Sequence, residues 1–273
     1  MINKELILFN EKMIEQGYSE KTVKSYIQYI NSFHNYSKIV APDQNHLFNY
    51  CSFLHDKDSS YSYIKNSVMA IRLFSELVFD VKLEHKFLAK FRKTRKLPEV
   101  LTLEEVKKLI NSIVNIKHNT IISLIYSCGL KVSECINIKV KDIDFRNFEI
   151  KIEDPLTKKT RSISLSYKVF CLIRNYIDNY KPKKFLFEGK DREKYSVRSI
   201  QTILKIALEN TGIKKNITVQ SLRHSFAVHL MEQGTDLSLI QIILGHKNFQ
   251  STLLYKNYSP KMVQKVHNPF DDI

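Results

Sequence analysis

Across 273 residues the apolar positions follow a helical period almost throughout, and the departure from it limits the fold: between Phe148 and Leu165 the period drops to two. Phe148, Ile150 and Ile152 alternate with polar neighbours, DPLTKKT makes a turn, and the stretch 161–165 alternates again. That pattern describes a β-hairpin with a basic tip. The chain is therefore expected to be mainly α with a small antiparallel β-hairpin or sheet.

Before the hairpin, residues 4–16 and 20–36 form two amphipathic helices broken at Gly17, the second carrying Val23, Tyr26, Ile27, Ile30 and Phe33 at steps of three and four. Ser19 is placed to cap it. A third helix follows Asp43, and a fourth over 60–79 has Ile64, Val68, Ile71, Phe74 and Leu77 on one stripe. These predict a helical domain over residues 1–89. KFRKTRK, from Lys90 to Lys96, has five basic residues in seven and is followed by Pro98, so residues 90–97 are read as a basic linker. Thr102 and Glu105 make a capping box, with Leu101 and Val106 as a hydrophobic staple, and a second domain is expected over 98–273. Its helices are read at 119–126, 133–138, 167–180, 197–210, 220–233 and 237–244. No internal repeat, low-complexity tract or glycine-rich phosphate loop is visible, which argues against a nucleotide-driven motor.

Lysine and arginine number 43 against 28 acidic residues, a net charge of +15 that points to a polyanionic partner, nucleic acid first. Cys51, Cys128, Cys135 and Cys171 lie in apolar helical patterns without zinc-site spacing and are read as buried free thiols. No run of eighteen apolar residues occurs, and MINKELILFNEK is too charged for a signal peptide; a cytoplasmic protein with no metal, cofactor or membrane partner is expected.

Chemistry concentrates between Thr218 and Tyr258. Arg223 falls early in a helix, three residues after Gln220; a Leu-Gly-His corner ends at His246; Tyr255 follows nine residues later. Breaking a phosphodiester without metal requires a nucleophile that can hold the phosphate, cations for the charge on phosphorus, and an acid for the leaving 5′ oxygen. Tyrosine suits the first role, because its phosphodiester conserves the bond energy and the strand can be rejoined without ATP. An arginine fork suits the second.

The stretch SLRHSFAVHLMEQGTDLSLIQIILGHKNFQSTLLYKNY resembles the C-terminal signature of the tyrosine recombinase (phage integrase) family, in its Xer-like branch. LIYSCGLKVSECINIKVKDIDF resembles the first catalytic motif, and EKMIEQGYSEKTVKSYIQYINSF the N-terminal core-binding helices. The resemblance implies a two-domain clamp on double-stranded DNA, made of a helical core-binding (SAM-like) domain and a mixed α/β catalytic domain. It also implies 3′-phosphotyrosine intermediates and a tetramer on paired sites; from the shortness of the C-terminal tail the protomer is expected to be monomeric before it meets DNA. By it Tyr255 is the nucleophile, Arg223 the second arginine, His246 the histidine of the corner and Glu134 a supporting carboxylate. Lys90, Arg92, Lys93, Arg95, Lys96, Lys159 and Arg161 are DNA-binding candidates, and VQKVHNPFDDI resembles the family's tail. Chromosome dimer resolution, mobile-element integration and inversion all fall within the resemblance.

The chain departs from the family pattern three times. Lys131 stands where the first arginine is expected, keeping charge without the planar fork. Gln220 replaces a histidine and cannot exchange a proton near neutral pH. The hairpin lysine would fall at Leu156, and Lys158, two residues on in the same turn, is the nearest candidate for the acid. Two readings follow: a working recombinase with a weakened site, or an accessory DNA-binding protein that has lost strand exchange. A helix-turn-helix regulator over 236–258 is a third, and it leaves the hairpin and the Lys131 motif without a purpose.

Overall fold

Ser19, Asp43 and Ser60 each accept a backbone N–H from the next turn, those of Thr22, His46 and Tyr63, so three helices start where the sequence supplies a cap. In the computed structural model, which describes residues 3–91 and 97–258, these are α2 (Glu20–Ser37), α3 (Gln44–Asp56) and α4 (Tyr61–Phe79), preceded by α1 (Asn3–Glu15). The chain divides into two compact units, residues 1–95 and 96–273.

In the first unit α2 packs along α4, α1 rests on both and α3 closes against α4. Val23, Ile30 and Phe33 of α2 are buried against Ile64, Val68, Ile71 and Phe74 of α4, while Tyr26, Ile27 and Leu77 are partly buried at the margin. Phe9 meets Phe74 edge to face at 5.5 Å and Phe33 meets Tyr50 at 5.3 Å. The expected linker begins too early: Lys90 lies in a 3-10 helix, Lys86–Phe91, whose Leu88 and Phe91 are buried in this unit. Apolar side chains on both sides of Lys90 draw that turn into the core while the lysine stays exposed. Arg92, Lys93, Arg95 and Lys96 lie outside the described residues, as does the tail after Tyr258.

In the second unit the Thr102–Glu105 capping box opens α5 (Leu103–Asn111), with Leu101 and Val106 both buried beside it. The centre is α6 (Ile116–Ser127), whose second half, with Ile121, Ile122, Leu124 and Ile125 all fully buried, faces the core on every side. Around it pack α5, α8 (Tyr167–Tyr180), α9 (Val197–Thr211) and α10 (Val219–Glu232). After α7 (Val132–Cys135) come three antiparallel strands in chain order, β1 (Ile143–Asp144), β2 (Glu149–Glu153) and β3 (Thr160–Ser164). Ile143 pairs with Ile150 and Ile150 with Ile163, so one face of the sheet is buried. Phe148, read as the first residue of the alternation, precedes β2 with a positive φ and stacks on Phe170 at 4.3 Å. The chain ends its described course with α11 (Leu237–Leu244), α12 (Gln250–Leu253) and a 3-10 turn, Leu254–Tyr258.

Cys51, Cys128 and Cys135 are buried, but Cys171 is exposed, contrary to the sequence reading: burying Val169, Phe170, Ile173 and Tyr176 of α8 turns position 171 outward. Among the described residues no helix is long and apolar enough to cross a membrane.

Two substitutions test these local arguments by urea unfolding. Thr102→Ala removes the α5 cap and is expected to cost about 1 kcal/mol. Gly129→Ala is expected to cost more: its backbone has φ +56, and an added Cβ would lie 2.6 Å from Leu244 Cδ2 and 2.7 Å from Phe226 Cδ1. Equal midpoints for Gly129→Ala and the parent would refute the close approach.

Candidate active site

Arg223 sits in the second turn of α10 with 1% of its surface exposed, on the buried face of the helix. A buried guanidinium needs acceptors, and the chain supplies backbone ones: Nη1 donates to Gly129 O at 2.8 Å and Nη2 to Leu244 O at 2.7 Å. Its Nε–H is buried and unpaired among the described residues. The glycine after α6 and the end of α11 are thus joined through one side chain.

Glu134, on α7, is the acidic centre. Arg161 of β3 grips it with both terminal nitrogens, Nη1 to Oε1 at 2.9 Å and Nη2 to Oε2 at 3.0 Å, and the Lys131 amide donates to Oε2 at 2.8 Å. Arg223 Nη1 lies 3.5 Å from the same carboxylate and Lys131 Nζ 3.7 Å. Burial pushes the Glu134 carboxyl up, but Arg161, the Lys131 amide and Arg223 together hold it below the usual range, so it is ionised. Arg161, a DNA-binding candidate by sequence, has a side chain only 13% exposed, and its Nε donates to Ile243 O at 2.7 Å. It buttresses the corner after α11, where a Cβ on Gly245 would come 2.9 Å from Arg161 Nη1.

Lys131 immediately precedes α7 and sends Nζ to Asp154 Oδ2 at 2.7 Å in the β2–β3 turn. That hydrogen bond, with the Thr157 and Leu156 amides on the other oxygen, holds Asp154 well below the ordinary carboxylate range. In this ion-pair cluster three cations, Lys131, Arg161 and Arg223, meet two carboxylates, Glu134 and Asp154, leaving one net positive charge for an incoming anion.

His246 follows Gly245, which terminates α11 in the left-handed conformation at φ +65. Its Nδ1 is 2.9 Å from the hydroxyl of buried Thr252. Burial first, then Arg223, Lys131, His224 and Arg161, push the imidazole down to about 4, so at neutral pH it is uncharged. If the Thr252 hydroxyl donates to Nδ1, Nε2–H is left as a neutral donor.

Tyr255 is 1% exposed, packed among Ala227, Val228, Met231, Ile240 and Leu244, with the His246 ring nearly parallel to its own at 6.3 Å and 17°. Its hydroxyl lies 3.0 Å from His224 Nδ1. The Tyr258 hydroxyl donates to Pro98 O and ties down the turn that carries Tyr255. Burial raises the Tyr255 phenol, Arg223 opposes it and Tyr258 adds to it, and the result is pushed up to about 12.

The structure therefore brings Arg223, Lys131, Glu134, His246 and Tyr255 together. Gln220 is exposed while Arg223, one turn on, is buried, so the two do not present one face to solvent. Lys158 stands exposed in the hairpin turn, 3.2 Å from Glu153, and Lys159 is exposed beside it. A cleft of about 530 Å³ next to the hairpin is lined by Lys139, Lys141, Lys151, Lys158, Lys184 and Lys194 together with Glu134. Among the described residues no group of three or more histidine, cysteine or acidic side chains is placed to hold a metal ion. The sequence reading does not single out His224 or Thr252. Adjacency to Arg223 is the signal that could find His224; Thr252 carries none, because only the turn after α11 sets it against His246.

Residues 99–262 match the model of the phage integrase family. A protein of Sinorhizobium fredii named as an integrase/recombinase, y4qK, is 30% identical over 96% of this chain and 87% of its own length. The tyrosine recombinase XerC of Staphylococcus epidermidis is 28% identical over 93% of this chain and 92% of its own. Among solved structures, the XerH site-specific recombinase bound to a palindromic difH substrate superposes with a TM-score of 0.77 at 20% identity, covering 89% of this chain and 78% of that one, a likeness of fold. By the extent of the family match and the length over which these relatives align, the chain belongs to the phage integrase family and is a Xer-like tyrosine recombinase in lineage.

Proposed function

We propose that the protein breaks and rejoins DNA strands at specific sites through a 3′-phosphotyrosine intermediate, using neither metal nor ATP. The carrying observation is convergence: Tyr255, Arg223 and His246, spread over 33 residues of sequence, share one cluster with Lys131 and Glu134. Tyr255 Oη attacks phosphorus. Arg223 and Lys131 counter the charge on the nonbridging oxygens, and neutral His246 donates to one of them without adding charge. Glu134 positions Lys131 and Arg223. The departing 5′ oxygen takes a proton from the ammonium of Lys158 or Lys131, and Gln220 at the surface end donates a hydrogen bond. Because 1% of Tyr255 is exposed, DNA or a shift of the 254–258 turn must open the way to Oη.

Double-stranded DNA is the partner, held by the +15 chain through the helical first unit, the basic stretch 90–96 with Lys90, Arg92, Lys93, Arg95 and Lys96, the lysines of the hairpin cleft, and exposed Lys159 of the same turn. Strand exchange takes four copies on two paired sites, assembled in the cytoplasm from monomers. A second reading, an accessory DNA-binding protein without strand exchange, is favoured by the Lys131–Asp154 ion pair, which engages the cation meant for phosphate.

The deciding experiment mixes protein with random-sequence duplexes, recovers SDS-resistant adducts, and repeats the reaction on a nicked version of the selected duplex. An adduct lost in Tyr255→Phe is expected. A tight, salt-sensitive gel shift with no adduct would establish the accessory reading instead. On the same duplex Lys131→Arg is expected to raise the adduct yield by restoring the fork; an unchanged or lower yield means the pocket is built around lysine. His246 also predicts a pH effect on stability. Its folded value near 4 lies below the ordinary 6.5, so its contribution is complete above about pH 6.5 and is lost as pH falls towards 4. Thermal midpoints should fall between pH 7 and pH 5, and fall less in His246→Asn; equal losses would contradict the buried neutral imidazole.

A further inference from the structure

The reading above leaves the phenolic proton of Tyr255 without a destination. Gln220 cannot accept it at a useful pH, Arg223 has no acceptor, and Lys131 is an ammonium held on Asp154. His246 lies face to face with the tyrosine ring, and its Nδ1 is already taken up by Thr252. The group that does reach the reacting oxygen is His224, whose Nδ1 is 3.0 Å from Tyr255 Oη with the two rings tilted by 56°. The contact spans 31 residues, from the second turn of α10 to the last described turn of the chain.

We propose that His224 is a catalytic residue of this protein, the base that takes the proton from Tyr255 Oη as that oxygen bonds to phosphorus and the acid that returns it when the strand is rejoined. This rests on the recombinase reading. In cleavage the Oη–P bond forms, the P–O5′ bond breaks, the phenolic proton passes to Nδ1, and the departing O5′ takes a separate proton from the lysine ammonium. In rejoining, the free 5′ hydroxyl gives its proton back to that lysine as it attacks, and the imidazolium protonates the leaving phenolate. Proton count and charge close over the cycle with no further reactant.

Three features support the assignment. The Tyr255 phenol, pushed up to about 12, keeps its proton at neutral pH and donates it, so Nδ1 is the accepting nitrogen and Nε2 carries the ring proton. The distance is within the reach required of a general base. Arg223, adjacent in sequence, lies near enough to favour the phenolate as it forms. The charged and titratable groups that face Tyr255 are Arg223 on α10, Tyr258 on the tyrosine's own turn and His246 after α11; Lys131 before α7 and Arg161 on β3 act on His246 in turn. The assignment also gives the loss at position 220 a chemical sense: proton exchange is kept four residues further along the same helix.

The test has two arms. In the first, protein labelled with 15N-histidine is read by long-range 1H–15N NMR at pH 7.5 without DNA. An unprotonated Nδ1 at His224, shifted in Tyr255→Phe, is expected; a protonated Nδ1 overturns the proposal whether or not DNA is cut. In the second, adduct formation is timed across pH 5.5–9 on the nicked duplex selected above. His224→Ala and His224→Gln should slow it by about 10²-fold or more, lose the titration that limits the parent at low pH, and, for His224→Ala, recover with added imidazole. An unchanged rate, or a loss that imidazole does not restore in a variant with the parent's circular dichroism, overturns the assignment. If the parent itself forms no adduct on any duplex, the recombinase reading fails and catalysis by His224 with it, while the NMR arm reports separately whether the hydrogen bond exists.

Discussion

The carboxylate of Glu134 has no solvent exposure, and a buried charge is tolerable only with partners. Arg161 supplies two hydrogen bonds, the Lys131 amide a third, and Arg223 stands at 3.5 Å. Because those cations also bond the carbonyls of Gly129, Ile243 and Leu244, one carboxylate sets α7, β3, α10 and the end of α11 relative to one another. A buried ion pair contributes little net stability over an apolar replacement, whereas removing one partner leaves uncompensated charge. What this cluster contributes is position: it holds the corner bearing His246 and the helix bearing Arg223 and His224 against α7 and β3.

Protonation states follow from the same burial. It keeps His246 neutral, and the neighbouring arginines reinforce it, so the corner offers a donor without another charge. Burial also keeps the Tyr255 phenol protonated at neutral pH, so on the proposed mechanism its oxygen needs a base. Arginines serve the ion cluster because they cannot lose their charge under the same pressure.

The departures from the family pattern have structural counterparts that soften them. At position 131 the ammonium is close to Glu134 and bound to Asp154, so its charge stays at the site while the second contact of a fork is lost. At position 220 the glutamine is exposed, and the imidazole that meets the tyrosine comes from position 224. In the hairpin the turn is organised by the Asp154 carboxylate on the Leu156 and Thr157 amides, which leaves Lys158 at the surface on Glu153. Local rules broken at a site, with compensation nearby, are what functional positions commonly show.

Much of the architecture was legible because it depends on local chemistry. Ser19, Asp43, Ser60 and the Thr102–Glu105 pair start helices through bonds to residues three positions away, and Ile150, Ile152 and Ile163 alternate because a pleat has period two. The lineage was legible in another way, through the resemblance of the motif carrying Arg223, His246 and Tyr255 to that of the family whose model matches residues 99–262. The failures are contacts between segments far apart in sequence. Arg161 looks like a surface cation in a basic hairpin until β3 lays it on Glu134, 27 residues away, and His224 looks like a neighbour of Arg223 until the last turn brings Tyr255 to it. By itself the sequence determined, through composition and spacing, which elements form, and its motifs carried the resemblance to a family. Which nitrogen meets which oxygen was decided only by the tertiary structure, because hydrogen bonds and desolvation act within a few ångströms and sequence distance carries no information about them.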